Sequence, residues 1–225
     1  MIQAEDSNPD DSSAKSNAAS HPYAILRNRD FVLYLVGRFI ASFGQQMLTV
    51  AVGWELYERT QSALALGLVG LTQMAPMILL TLPAGHVADS FNRKRIILAM
   101  TLLIILSSVG LTVVSAFRAP VFWTYFCLLC AGTARTFLWP ASSAFLPQLV
   151  PRQNFSRAVT WSMGSFHLSS VAGPAAGGAL IALWHSAAVV YGLNAAAALI
   201  CFVLLSLVRD RRVTPAREEM SLANL

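Results

Sequence analysis

The segment Ile96–Ala116, IILAMTLLIILSSVGLTVVSA, decides the architecture, because it contains no charged side chain from end to end. A run of about 20 apolar residues, rising 1.5 Å per residue, is what a helix needs to cross a hydrocarbon core of about 30 Å. Arg93-Lys94-Arg95 stands immediately before it and Phe117-Arg118 immediately after it. Five further runs of the same kind are Phe31–Leu56, Leu64–Ala88, Val121–Leu146, Ala158–Leu183 and Ala187–Val208. Backbone amides cannot stay unpaired in lipid, so each run is expected to be a helix. The expected fold is an all-α membrane protein, a six-transmembrane-helix bundle over residues 23–208.

Composition agrees. Hydrophobic residues make up 56% of the 225 and charged residues only 12%, against about 25% charged in soluble domains. The net charge of +5 raises the question of nucleic acid, but the basic residues are distributed as membrane topology requires. With both termini cytoplasmic, 12 of the 16 fall in inside segments, only Arg59 and Arg118 fall outside, and Arg38 and Arg135 lie within spans. That bias fixes the orientation by the positive-inside rule. The loops are too short for a nucleic-acid-binding domain, so the expected surroundings are the lipid bilayer of a cell inner membrane. Cys127 and Cys130 have the spacing of a redox or metal pair, but no second pair or nearby His accompanies them; with Cys201 they read as packing residues.

Residues 1–22, rich in Ser, Asp, Asn and Ala, read as a disordered cytoplasmic tail. The first apolar run is too long for a signal-peptide core, so it is expected to remain in the mature protein. The short connections near Arg59–Ala63, Phe117–Pro120 and Trp184–Ser186 lead one to expect consecutive helices to be antiparallel neighbours. Arg209-Asp210-Arg211-Arg212 ends the last span, and residues 209–225 read as a cytoplasmic tail.

Ionisable residues inside a membrane are costly, and they mark cavities or partners. Arg38, Ser42, Gln45 and Thr49 follow one another at steps of four, three and four, which places them on one face of the first helix. That stripe suits a water-filled cleft; the other reading has Arg38 snorkelling to the interface and the rest bonding to neighbouring helices. Arg135, near the middle of the fourth span, needs either an anionic ligand or carboxylate, or a set of carbonyls and neutral side chains. His167 is open to a proton-relay or a packing role, and Asn194 is a further intramembrane polar group.

At the inside end of the second helix stands Gly85-His86-Val87-Ala88-Asp89-Ser90-Phe91-Asn92-Arg93-Lys94-Arg95. It resembles the major facilitator loop motif G-x-x-x-D-R-x-G-R-R/K, matched at Gly85, Asp89, Arg93 and Lys94. Ser90 replaces a basic residue. Asn92 replaces the turn glycine, and because Asn tolerates a left-handed turn, that turn is expected to persist. Gly173-Pro174-Ala175-Ala176-Gly177-Gly178 is similar to the G-P-x-x-G-G core of the helix 5 antiporter motif, while Thr160 and Ser169 occupy its upstream glycine positions. Thr60-Gln61-Ser62-Ala63-Leu64-Ala65-Leu66-Gly67, and Ala134-Arg135 through Pro140-Ala141, resemble segments of the drug and siderophore exporters of that superfamily.

The resemblance covers residues 24–212. It implies the amino-terminal six-helix half of a secondary active exporter. Asp89, with Arg93 and Lys94, would act as a gating latch, and Arg38, Ser42, Gln45, Thr49, Arg135, His167 and Asn194 would be candidate lining for a substrate cleft. It implies no cofactor or metal. The partners implied are a small-molecule substrate and a second six-helix bundle, either a separate chain or a second copy. Exporters of this branch commonly carry an acidic residue near the position of Gln45, which weakens the case for proton coupling through helix 1. The other reading is a non-transporting bundle, an assembly partner or a truncated fragment. The sequence contains no Ser nucleophile elbow, His-Glu-x-x-His pair or Gly-rich phosphate loop, so it offers no chemistry for proteolysis or ATP-driven pumping.

Overall fold

A computed structural model of the chain describes residues 24–209, so residues 1–22 and 210–225 of the two tails read from the sequence lie outside the described residues. Within that range stand six helices long and apolar enough to cross a membrane. They are α1 (Arg29–Thr60), α2 (Ala63–Ser90), α3 (Arg93–Ala116), α4 (Val121–Leu149), α5 (Phe155–Trp184) and α6 (Ala187–Leu207). Short 3-10 turns, Ala24–Arg27 and Arg152–Asn154, lead into α1 and α5. Local chemistry sets several of the ends. The Asn28 side chain caps α1 by accepting from the Asp30 amide, and Asn92 caps α3 by accepting from the Arg95 amide at 3.3 Å.

The expectation that consecutive helices are neighbours holds for α3 and α4 and is corrected for the other pairs. Extensive contact joins α1 to α5 and α6, α4 to α2 and α3, and α3 to α6; of these pairs only α3–α4 is consecutive. A connection as short as Gln61-Ser62 ties two helix ends together and says little about the rest of their length. In lipid no hydrophobic force favours one apolar neighbour over another, so contact goes where small residues let backbones approach. Gly173 and Gly177 do this between α5 and α1: a Cβ at Gly177 would lie 3.0 Å from both the Cα and the carbonyl oxygen of Met47. Gly132 brings α4 onto α2, where a Cβ would lie 3.1 Å from the Gln73 carbonyl oxygen. At the α3–α6 contact Asn194 donates to Ser108 Oγ at 2.7 Å, fully buried.

Exchanging α1–α3 with α4–α6 maps these contacts onto themselves: α1 with α5 becomes α4 with α2, α1 with α6 becomes α4 with α3, and α3–α6 is unchanged. The bundle is thus a pair of three-helix units of opposite direction, with α1 and α4 in equivalent places. Two clusters of buried side chains hold it. One, around Phe31, Ile97, Phe145 and Leu205, sits at the arginine-rich end; the other, around Leu56, Leu111, Leu128 and Tyr191, sits at the opposite end. At that second end Glu55, buried on α1, pairs with Arg59 at 3.3 Å, and Arg59 also donates to the Ala119 carbonyl before α4.

Candidate functional site

A cleft of about 500 Å³ opens between α1, α4 and α5 in the half of the bundle nearest Arg29, Leu149 and Phe155. Arg38 and Ser42 reach it from α1 and His167 from α5, so the structure brings these three of the sequence-derived residues together. Its walls are aromatic and apolar, with Phe39, Trp139, Phe155, Met163 and Phe166 among them, interrupted by the hydroxyls of Ser142, Ser143, Ser162 and Ser165. Among the described residues no Asp or Glu lines it. Three of the serines already donate within their own helices, Ser143 to Pro140 O at 2.9 Å, Ser162 to Ala158 O at 2.8 Å, and Ser165 to Trp161 O. Ser142 differs: its residue is 6% exposed and its Oγ has no hydrogen-bond partner.

The cleft closes above Ser42, because there the glycines of α5 meet α1. The Ser169 hydroxyl donates to Phe39 O at 3.4 Å, and a Cβ at Gly173 would come within 2.6 Å of Gln46 Cβ. Gln45 and Thr49 therefore lie past the lined volume; Thr49 donates to Gln45 O at 3.0 Å, and Gln45 Nε2 is buried without a partner. Of the helix 5 motif, Gly173 and Gly177 pack on α1, Pro174 lies between them in sequence and is half-buried, and Gly178 faces open space.

Arg135 sits elsewhere, on the α2 side of α4. Its Nη1 donates to Gln73 Oε1 at 2.9 Å and its Nε to Ala131 O at 3.4 Å, while Nη2 is buried without a partner. Asn194 belongs to the junction of α1, α3 and α6, between Ser108 and Gly44.

The loop motif is built differently from its expected turn. Asn92 has φ −61° and ψ 114°, an extended cap and not a left-handed residue, which corrects that expectation. The physical reason is that α3 begins at Arg93, so Asn92 serves its first turn as the side-chain acceptor. Arg93, Lys94 and Arg95 then crowd the positive end of the α3 dipole. Two of them turn that to use: Arg93 donates to Ala144 O on α4 at 3.3 Å, and Lys94 to Ser206 O at 2.9 Å and to Val208 O at the end of α6. Gly85 meets open space. The Asp89 side chain lies outside the described residues.

This order of helices and motifs has known counterparts. A family model described as transmembrane secretion effector matches residues 20–222. The chain belongs to that family. As a transmembrane secretion effector it is a multi-pass membrane protein of the major facilitator kind. It is 31% identical over 185 residues to the enterobactin exporter of Salmonella choleraesuis, a match covering 80% of this chain and 44% of that protein. It is 24% identical over 180 residues to macrolide efflux protein A of Streptococcus pyogenes, again covering 80% and 44%. Among solved structures the POT family transporter PepTSo shares the fold, with a TM-score of 0.67 at 18% identity over 82% of this chain and 38% of that one. The chain spans less than half the length of the curated relatives it matches.

Reading the sequence alone missed Gln73, Ser142, Trp139 and the Glu55–Arg59 pair. Gln73 carried a signal, being the lone amide side chain in the span Leu64–Ala88. Ser142 carried none, since it adjoins Ser143 on α4, five more serines stand on α5, and only packing distinguishes the unpaired one.

Proposed function

We propose that this effector is the amino-terminal half of a secondary active exporter of small molecules, of the drug and siderophore kind. It sits in the inner membrane with both termini in the cytoplasm. The observation that carries the reading is the polar-studded cleft between α1, α4 and α5, whose size suits a small organic molecule. The names of the enterobactin and macrolide relatives support export. A second six-helix bundle, in a separate chain or a second copy, completes the cleft. In support, Gly67 and Gly70 on α2 and Gly164 and Gly178 on α5 face open space, the kind of residue that lets a further helix approach closely. The latch reading of the loop motif assigns Arg93 and Lys94 to holding α4 and α6, and Asp89 to meeting the second bundle.

Two measurements test this. A reporter active only outside the cytoplasm is expected to be silent after Leu225 and active near Arg118; the reverse pattern overturns the orientation. Efflux of a catecholate or a macrolide from vesicles is expected when this chain is expressed with the second half of the Salmonella relative, and to fall at least tenfold with Asp89→Asn at equal expression. Vesicles that retain both compounds whatever second bundle is supplied would overturn the transport reading.

A further inference from the structure

We propose that the cleft selects organic anions, and among them those that carry hydroxyl or amide hydrogen-bond donors on an aromatic body. The inference rests on the reading of the cleft as substrate-bearing and names the chemistry it takes. Arg38 faces the lined volume, and no carboxylate among the described residues pairs with it. Glu58 stands farther still; the carboxylates nearest Arg38 on α1 are Asp30, eight residues below, and Glu55, which is seventeen residues above and already paired with Arg59. At 1.5 Å per residue these lie roughly 12 Å and 26 Å away along the axis. The guanidinium therefore presents its fork of donors to the cleft uncancelled, and a carboxylate or phenolate matches that fork. His167 adds a ring that donates in either protonation state and is a cation when protonated.

The hydroxyls refine the selection. Ser143, Ser162 and Ser165 have spent their hydrogens on carbonyls of their own helices, so what they offer a ligand is lone pairs. Those pairs accept from a ligand O–H or N–H and give nothing to a bare hydrocarbon. Ser142 Oγ is buried beneath the wall of the cleft, next to the Tyr34 hydroxyl that donates to the Ser142 carbonyl, so the ligand-facing acceptors are the other three serines. A cation meets the opposite situation: it would enter beside Arg38 with no carboxylate to offset the repulsion.

The test uses the full chain in nanodiscs of zwitterionic lipid, read by quenching of Trp139, which lines the cleft; Trp139→Phe identifies its share of the signal. Three probes of one shape are compared: 3-hydroxy-2-naphthoate, the neutral 3-hydroxymethyl-2-naphthol, and the cationic 3-aminomethyl-2-naphthol. The naphthoate is expected to bind at least tenfold tighter than the amine. Arg38→Gln is expected to cost the naphthoate at least tenfold and the neutral probe less than twofold, with an unchanged melting temperature; Arg38→Lys is expected to keep the preference for the naphthoate over the amine but to lose the part of the affinity that the planar fork supplies. An amine that binds as well as the naphthoate, or a naphthoate indifferent to Arg38→Gln, overturns the charge selection while leaving the cleft in place, as shown by the neutral probe. If none of the three quenches Trp139, the substrate reading of the cleft falls and this inference falls with it.

Discussion

The α1–α5 and α2–α4 interfaces occupy equivalent places in the two three-helix units, yet they are built on opposite chemistry. Between α1 and α5 the upper contact is glycine against backbone, Gly173 and Gly177 on Phe43, Gln46 and Met47, and the lower part is left open as the cleft. Between α2 and α4 the contact is Gly132 against Gln73, and beside it the Arg135 guanidinium fills the space and bonds to the Gln73 side chain. Each unit thus carries one arginine well inside the span of its first helix, Arg38 on α1 and Arg135 on α4. Arg38 points into the open volume, and Arg135 is mostly consumed by its own neighbours. The difference teaches that charge inside this bundle is not by itself a marker of a ligand site; whether the adjoining helix closes on it decides.

The largest way to break the comparison is to fill the glycine contact. Gly177→Leu places a side chain against the Cα and carbonyl oxygen of Met47, atoms that cannot swing aside. The expected loss is about 3 kcal/mol, the upper part of the overpacking range, seen as a collapse of monodisperse protein in detergent and a sharply lower melting temperature. Gly178→Leu, one residue on and facing open space, is expected to change neither. Equal damage from both would mean that α5 packs on something other than α1.

Next is the polar contact, where a double-mutant cycle separates partner from ligand. Gln73→Leu leaves the Arg135 guanidinium without its side-chain acceptor near the middle of a span, which costs about 2.5–3.5 kcal/mol on insertion scales. Arg135→Leu removes the charge itself and is expected to cost about 1 kcal/mol. The double variant is expected to be more stable than Gln73→Leu alone; simple additivity would sink the pairing. Transport supplies the other arm. If the buried Nη2 meets a carboxylate of the second bundle or of the substrate, Arg135→Gln is expected to lower efflux more than tenfold without lowering stability. Full efflux would leave Arg135 a packing residue.

The same comparison explains what was legible beforehand. The six spans could be read from uncharged runs such as Ile96–Ala116, because bilayer thickness sets a length that sequence displays directly. Arg38 and Ser42, four residues apart, lie on one face of α1 and both line the cleft. Gln45 and Thr49 continue that face, but the approach of Gly173 ends the cleft before them, and no periodicity within α1 can say where a different helix arrives. Arg135 was visible as a buried charge; Gln73 was invisible as its partner, because that requires knowing that α2 packs on α4. Loop lengths pointed to the right neighbour for α3 and α4 but not for α1 and α2 or α5 and α6, for the same reason. Asn194 looks in sequence like any intramembrane polar residue, and only the α3–α6 contact shows it bonded to Ser108.

The smallest effect concerns the loop cations, which tie the start of α3 to α4 and α6. Lys94 stands in the first turn of α3, where the dipole disfavours it, and places its ammonium on Ser206 O and Val208 O, where the α6 dipole favours it. Arg95 shares the unfavourable position but is exposed. If the carbonyl contacts outweigh the dipole penalty, Lys94→Gln is expected to cost about 0.3–1 kcal/mol, a factor of roughly two to five in local opening. Amide exchange in the last turn of α6 is expected to quicken by that factor, while exchange in the middle of α3 stays unchanged. Arg95→Gln, which relieves the same penalty without losing a cap, is expected to leave α6 exchange alone and to stabilise slightly. Should the two variants behave alike, the cluster acts only through its charge at the membrane surface, and the tie between the loop motif and α6 has no energetic weight.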